Sequence, residues 1–231
     1  MLFSKLLLAP ILLYQGKHVR NNIITLPEPD GPRYGRLGTG PLLKILILGD
    51  SAGAGVGANH QRQALSGQLT QRLSQHYHIE WQLLAKTGEN CQSILPLLDT
   101  LPSQTFDIVI TSLGVNDVTS GKSLHQFEND LQVLKYKIEQ SFTPKHIIFS
   151  SMPPIGKFPA LPNPLRWYLG KVADSFDMAM SNFAATHQCH YFPLPNMLEV
   201  DVMAEDGFHP GPKVYQQWAE DLCAFIVELK N

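Results

Sequence analysis

The sequence predicts an α/β protein of the flavodoxin-like type, a three-layer α/β/α fold with a five-stranded parallel sheet. Apolar runs of strand length alternate along the chain with segments of helix length, which is typical of parallel strands joined by crossover helices. Right-handed crossovers make 2-1-3-4-5 the simplest strand order. The predicted strands are Leu43 to Leu48, Ile79 to Ala85, Phe106 to Leu113, His146 to Met152 and His190 to Phe192.

The helices are predicted from apolar residues that recur at spacings of three and four. The clearest case has apolar residues at positions 124, 127, 131, 134 and 138. The predicted helices are Gln61 to Gln75, Ser123 to Gln140, Leu165 to Thr186 and Lys213 to Lys230.

A length of 231 residues with 44% hydrophobic content fits one large domain. We expect this domain to occupy residues 42–231, after an apolar segment and an extended connector in residues 1–41. Leu26 to Pro41 is rich in proline and glycine and has no apolar period, so it is predicted to wrap along the surface.

The amino-terminal segment is harder to interpret. Leu6 to Tyr14 is apolar but too short to span a bilayer, and Lys17, His18 and Arg20 follow it. We expect residues 1–20 to pack on the domain as an uncleaved segment, with peripheral membrane contact as the alternative. A cytoplasmic or membrane-peripheral location is expected, while secretion and the oligomeric state stay open.

Composition argues against several function classes. The formal net charge is −2 and no long basic run occurs, so a nucleic-acid partner is not expected. The three cysteines are odd in number and lack a CxxC spacing, and the histidines form no HExxH motif. We therefore expect neither a metal nor a cofactor.

Polar blocks stand at the predicted carboxyl ends of strands or just beyond the last strand. In a doubly wound sheet these ends meet in one crevice, where ligands bind. The four blocks are Gly49-Asp50-Ser51, Thr87-Gly88-Glu89-Asn90, Gly114-Val115-Asn116-Asp117 and Asp206-Gly207-Phe208-His209-Pro210.

In this order and spacing the blocks resemble those of the SGNH hydrolases, also called the GDSL esterase and lipase family, over the whole predicted domain. The resemblance implies that Ser51 is a nucleophile and that His209 and Asp206 complete a catalytic triad. It also implies an oxyanion hole made by the backbone N–H groups of Ser51 and Gly88 and the side-chain amide of Asn116. One departure is Ala52, which replaces the leucine of the GDSL motif.

The chemistry of these residue types agrees with the resemblance. A serine hydroxyl is a poor nucleophile until a base removes its proton, and histidine suits that role. The three-residue spacing lets one turn present both Asp206 and His209, although Asp201 and Glu205 are nearby alternatives for the carboxylate. Asp50 and Asp117 are expected to fix their loops rather than transfer protons.

The glycine-rich stretch after Ser51 allows other interpretations. Gly53-Ala-Gly55-Val-Gly57-Ala58 formally fits a dinucleotide-binding fingerprint, but the ribose-binding acid expected at the second strand's end is absent. We interpret these small residues as room for substrate. A non-catalytic ligand- or nucleotide-binding module is the alternative from a different class, and Cys91 is expected to be a core residue rather than a nucleophile.

The predicted function is hydrolysis of small-molecule carboxylic esters with short to medium acyl chains through an acyl-serine, with thioesters or sugar acetates as alternatives. A wall or lid of the substrate site is predicted in the segment from Pro153 to Gly170. Its candidate substrate-binding residues are Phe158, Leu161, Trp167 and Tyr168.

Overall fold

A computed structural model of the chain describes residues 2–194 and 202–230. In these residues six strands form one sheet of order β1-β3-β2-β4-β5-β6, in which β1 is antiparallel to β3 and the other pairs are parallel. The strands are β1 Tyr34–Leu37, β2 Leu42–Gly49, β3 His78–Ala85, β4 Ile108–Ser112, β5 His146–Ser150 and β6 His190–Phe192.

The predicted fold class and the order of its five parallel strands are confirmed, but the strand count is corrected from five to six. The extra strand, β1, lies inside the predicted connector and pairs along the edge of the sheet. It has only four residues, and they alternate between exposed and half-buried. Gly35 pairs with Trp81, and a Cβ at Gly35 would lie 3.1 Å from the indole nitrogen, so glycine lets the edge strand cross this ring.

Helices cover both faces of the sheet. They are α1 Leu2–Asn22, α2 Ser51–Ala54, α3 Leu65–Leu73, α4 Leu95–Leu98, α5 Val115–Thr119, α6 Leu124–Phe142, α7 Leu165–Thr186 and α8 Pro212–Lys230, with 3₁₀ turns at Gln61–Gln63 and Ile155–Lys157. Alternate residues of β2 point to opposite faces of the sheet. Leu46 and Leu48 pack against α6 and α7, whereas Ile45 and Ile47 pack against α3 and α8.

The predicted helix from Gln61 to Gln75 is corrected to a 3₁₀ turn followed by α3. The break falls at Ala64, whose backbone is extended. The buried Gln61 side chain donates to the Ala54 carbonyl and accepts from the Ser66 hydroxyl, which directs the turn inward. This side-chain bonding has no signature in the apolar period.

Helix α1 packs on the domain, which agrees with the expectation that residues 1–20 pack as an uncleaved segment. The Gln15 side chain donates to the Asn163 carbonyl at 2.7 Å and accepts from the Leu165 N–H at 3.0 Å. Leu12 and Val19 lie against the core under α6 and α7. No helix in residues 2–194 and 202–230 is both long and apolar enough to cross a membrane.

Candidate active site

Three of the polar blocks leave neighbouring strands at the same edge of the sheet. In the ladders, Gly49 at the end of β2 pairs with Ala85 at the end of β3 and with Ser112 at the end of β4. Residues that follow these three positions therefore emerge side by side, at the carboxyl edge where doubly wound sheets bind ligands.

Ser51 is the first residue of α2, directly beyond β2. The turn is tight, because a Cβ at Gly49 would lie 2.7 Å from the Gly53 Cα. Asp50 caps the helix by accepting the Ala52 N–H at 3.0 Å. Glycine at position 49 thus lets α2 fold back onto the strand and leaves the Ser51 side chain at the sheet edge.

The Asp50 carboxyl is buried, 3% exposed as a residue. This burial raises its pKa to about 6, although backbone N–H groups and His209 act in the opposite direction. Asp50 makes no contact with the Ser51 hydroxyl among the described hydrogen bonds, which agrees with the predicted loop-fixing role.

The fourth block brings a histidine and a carboxylate to Ser51. His209 Nε2 lies 2.8 Å from Ser51 Oγ, and His209 Nδ1 lies 2.5 Å from Asp206 Oδ2. The other oxygen, Asp206 Oδ1, accepts the backbone N–H groups of Phe208 and His209. The three side chains form one continuous line, and the carboxylate sets the tautomer in which Nε2 can accept a proton from serine.

The electrostatics of Asp206 favour its charged form. Its side chain is 1% exposed, and burial by itself would raise its pKa. The hydrogen bonds from His209 and from two backbone N–H groups outweigh this effect and hold the pKa below its usual 3.8. Of the alternatives, Glu205 is exposed and Asp201 lies outside the described residues.

The interpretation of the glycine-rich stretch as room for substrate is corrected. A Cβ at Gly57 would lie 2.2 Å from the Pro210 carbonyl, and one at Gly55 would lie 2.5 Å from the Ala64 side chain. Both glycines also have positive φ angles of 97° and 95°. They make room for the protein itself, and Gly57 allows the chain at His209 and Pro210 to approach the Ser51 loop.

The predicted oxyanion donors lie around the same edge. Gly88 adopts a φ of 88° in the turn closed by the Glu89 N–H and the Lys86 carbonyl. Among the described residues, the backbone N–H groups of Ser51 and Gly88 have no acceptor. Asn116 donates one amide hydrogen to the Glu89 carbonyl at 2.8 Å, which leaves its second amide hydrogen for a ligand.

Asp117 joins the second and third blocks. Its buried carboxylate accepts the Cys91 N–H at 3.2 Å and the Lys122 ammonium at 2.6 Å, and Lys122 also contacts Asp130. Asp117 thus fixes the loops that carry Gly88 and Asn116, as predicted. The role of Lys122 could not be predicted, because a lysine after a turn is usually solvated and its spacing does not reveal the buried Asp117 and the half-buried Asp130 as partners.

An apolar cavity of about 60 Å³ opens beside the line of polar residues. Ala52, Phe208 and Pro210, which are sequence neighbours of Ser51 and His209, contribute to its wall. The rest of the wall is mainly apolar and comes from the residues that follow β4, β5 and β6, from the chain before Asp206 and from α8. These lining residues include Leu113, Val115, Pro153, Pro154, Phe158, Met203, Val214 and Trp218.

The predicted substrate wall is therefore corrected in part. Phe158 lines the cavity and packs edge-on against Phe208, at a ring-centroid distance of 5.0 Å. Leu161 is buried in the core and lines a groove beside α1 instead. Trp167, which is 50% exposed, and Tyr168 belong to α7 and are not part of the described cavity lining. Phe158, Leu161 and Leu165 are buried, so this part of the segment packs against the core.

The rival nucleophile and the dinucleotide hypothesis gain no support from the geometry. Cys91 is fully buried, and burial together with Asp117 raises the pKa of its thiol well above the usual value. The glycine-rich stretch ends a four-residue helix, whereas a dinucleotide fingerprint opens a long one.

The fold and this site define a class: a three-layer α/β hydrolase with a serine, a histidine and an aspartate in line at the carboxyl edge of the sheet. The chain belongs to the GDSL-like lipase/acylhydrolase family, whose model matches residues 47–217. This confirms the resemblance carried by the four blocks.

Solved structures with the same fold include several esterases. The psychrotrophic esterase EstA from Pseudoalteromonas sp. has a TM-score of 0.63 and 21% identity, over 81% of this chain and 99% of the other. TesA has a TM-score of 0.65 and 20% identity, over 80% and 99%. Est24, a carbohydrate acetylesterase from Sinorhizobium meliloti, has a TM-score of 0.61 and 18% identity, over 81% and 99%. No curated protein sequence matches this chain significantly.

Proposed function

We propose that this protein is a serine hydrolase that cleaves carboxylic esters with short to medium acyl chains through an acyl-serine intermediate. The observation that carries the proposal is the unbroken hydrogen-bonded line from Asp206 through His209 to Ser51, at 2.5 Å and 2.8 Å. A merely structural serine would not need an oriented imidazole and a buried carboxylate behind it.

In the proposed acylation, His209 Nε2 takes the proton of Ser51 Oγ as this oxygen bonds to the ester carbonyl carbon. The imidazolium then gives the proton to the leaving alkoxide oxygen as the ester C–O bond breaks, which releases the alcohol and leaves an acyl-serine. Water repeats the sequence with the same base and releases the acid. Asp206 stays ionised throughout and stabilises the imidazolium.

The oxyanion that forms in each step needs preorganised donors. We assign this role to the backbone N–H groups of Ser51 and Gly88 and to the free amide hydrogen of Asn116. Such donors act most strongly where water is excluded, and loss of one typically raises the barrier by about 3–4 kcal/mol. The Asp117 contacts with Cys91 and Lys122 support the proposal, because they hold two of the three donors in place before substrate arrives.

The apolar cavity supports the choice of acyl chain. Its lining is mainly apolar, with Asp50, Ser112 and Ser151 as the polar members, which favours an apolar acyl group, and its small volume favours short chains. The same acylation would serve thioesters and sugar acetates, and one structural neighbour is described as a carbohydrate acetylesterase. These substrates differ in the leaving group, so the test includes them.

The test is steady-state hydrolysis of p-nitrophenyl esters from acetate to decanoate, beside an acyl thioester and an acetylated sugar. We expect the highest kcat/KM on the shorter aryl esters and a loss of about 10⁴-fold or more in Ser51→Ala. Ser175→Ala, on the exposed side of α7, is the matched control and should match the wild type. Normal turnover by Ser51→Ala would refute the proposal.

A further inference from the structure

Helix α1 has an outward face on which large apolar and basic side chains lie together. Leu13 and Tyr14 are 75% and 70% exposed. Lys17 and Arg20 are also exposed, at spacings of three and four along the same helix. Residues with these spacings share one side of a helix, so the four side chains form one patch, here called the α1 patch.

The charged side chains of helix α1 all have the same sign. Residues 1–27 contain Lys5, Lys17 and Arg20 but no aspartate or glutamate, although the chain as a whole has a formal charge of −2. Within the described part of the chain, Lys17 and Arg20 have no ion-pair partner. The patch therefore presents uncompensated positive charge beside exposed apolar surface.

The opposite side of α1 is already occupied, which fixes the direction of the patch. Leu12 and Val19 pack against the domain core, and Gln15 makes two hydrogen bonds to the chain before α7. The patch cannot turn inward without loss of these contacts.

We propose that the α1 patch docks on the surface of an anionic lipid bilayer. Leu13 and Tyr14 would enter the headgroup region, where amphipathic aromatic rings are favoured. Lys17 and Arg20 would face the lipid phosphates, and each basic residue near such a surface strengthens binding about fivefold. The charge of the patch favours an anionic partner. An uncharged lipid surface or an apolar protein groove would make no favourable electrostatic interaction with Lys17 and Arg20.

The experiment is flotation of the full chain with phosphatidylcholine vesicles that contain or lack phosphatidylglycerol, at low and high salt. We expect binding to the anionic vesicles alone, and weaker binding at high salt because screening shortens the reach of surface charge. The double variant Lys17→Gln/Arg20→Gln should bind about 25-fold more weakly. Leu13→Gln/Tyr14→Gln should bind about tenfold more weakly or worse, because it removes apolar area that enters the headgroups.

Matched variants elsewhere on the surface distinguish binding by the α1 patch from a general effect of surface charge or of an exposed aromatic ring. Arg62→Gln/Lys213→Gln removes the same charge from exposed positions outside α1, and Tyr136→Gln changes a ring that is 64% exposed on α6. These controls should bind as the wild type does. Thermal unfolding of every variant verifies folding without reference to enzymatic activity.

Equal binding to both vesicle types, no binding to either, or equal losses in the control variants would overturn the proposal. Size-exclusion chromatography with light scattering addresses a second copy as the partner. A dimer that dissociates in Leu13→Gln/Tyr14→Gln, with vesicle binding unaffected, would assign the patch to self-association and refute lipid docking.

Discussion

The candidate active site has a polar side, formed by the line of Ser51, His209 and Asp206, and an apolar side, formed by the cavity wall beside it. The two sides differ in the interactions that hold their residues in place. On the polar side, Ser51, His209 and Asp206 are each held by one or more defined hydrogen bonds. On the apolar side, the Phe158 side chain is 3% exposed and is held by packing, in part against the Phe208 ring. On the polar side, only a few residue types can carry out the proton transfers. On the apolar side, any residue of suitable size and apolar character can fill the space.

We expect the largest effect on kcat from a change of the carboxylate on the polar side, Asp206. In Asp206→Asn the amide can still accept the backbone N–H groups but cannot accept from His209 Nδ1, so the imidazole loses its required tautomer. We expect kcat to fall about 10⁴-fold with folding retained. The exposed neighbour variant Glu205→Gln should leave kcat unchanged, and a comparable loss in that variant would contradict the assignment of Asp206.

Truncation of the apolar side should act on stability before chemistry. Phe158→Ala removes a buried ring and should lower the free energy of unfolding by about 3–5 kcal/mol in urea titrations. Trp167→Ala, at a half-exposed position on α7, should cost less than about 1 kcal/mol. Equal costs in the two variants would contradict this contrast. A change in chain-length preference in Trp167→Ala alone would indicate that Trp167 contacts the acyl chain, as the predicted lid requires.

The oxyanion donor of the polar side gives a smaller effect. Asn116→Ala should lower kcat by about 10²–10³-fold, or roughly 3–4 kcal/mol in the barrier, because the donor acts mainly on the oxyanion in the transition state. KM should change little. An effect on KM alone would show that Asn116 binds the ground state, and the mechanism would need another donor.

The smallest expected effect concerns the buried Asp50. Its pKa of about 6 in the folded state exceeds the usual 3.8, so the folded state holds this proton more tightly than the unfolded state. Its contribution to stability is therefore present below pH 4 and lost as the pH rises through about 6. Relative to Asp50→Asn, the wild type should lose on the order of 3 kcal/mol across this range and nothing further above it. Parallel pH curves for the two proteins would refute the raised pKa.

Most of the polar side could be predicted from the sequence because each group must stand at a strand end and only a few residue types can do its chemistry. Gly49-Asp50-Ser51 follows a buried strand, and Asp206 and His209 share one turn, so their order alone indicated a site. The parallel strand order followed from the same alternation of apolar runs, because handedness leaves few topologies.

The remaining features depend on contacts that sequence spacing does not encode. The edge strand Tyr34–Leu37 is short and half-exposed, and its pairing depends on the fit of Gly35 over Trp81. Leu161 and Phe158 have the same apolar character in sequence, yet only Phe158 reaches the cavity. Which apolar residue faces a cavity is decided by packing, and many residues could satisfy the same volume.

Catalysis by this site requires an activated Ser51. Incubation with a fluorophosphonate probe, followed by mass spectrometry of the adduct, measures this activation without any assumption about substrate. We predict rapid labelling at Ser51 in the wild type and in Ser175→Ala, with loss of labelling in Ser51→Ala and His209→Ala. A well-folded wild-type protein that stays unlabelled, or that carries the adduct on another residue, would contradict the assignment of the catalytic serine.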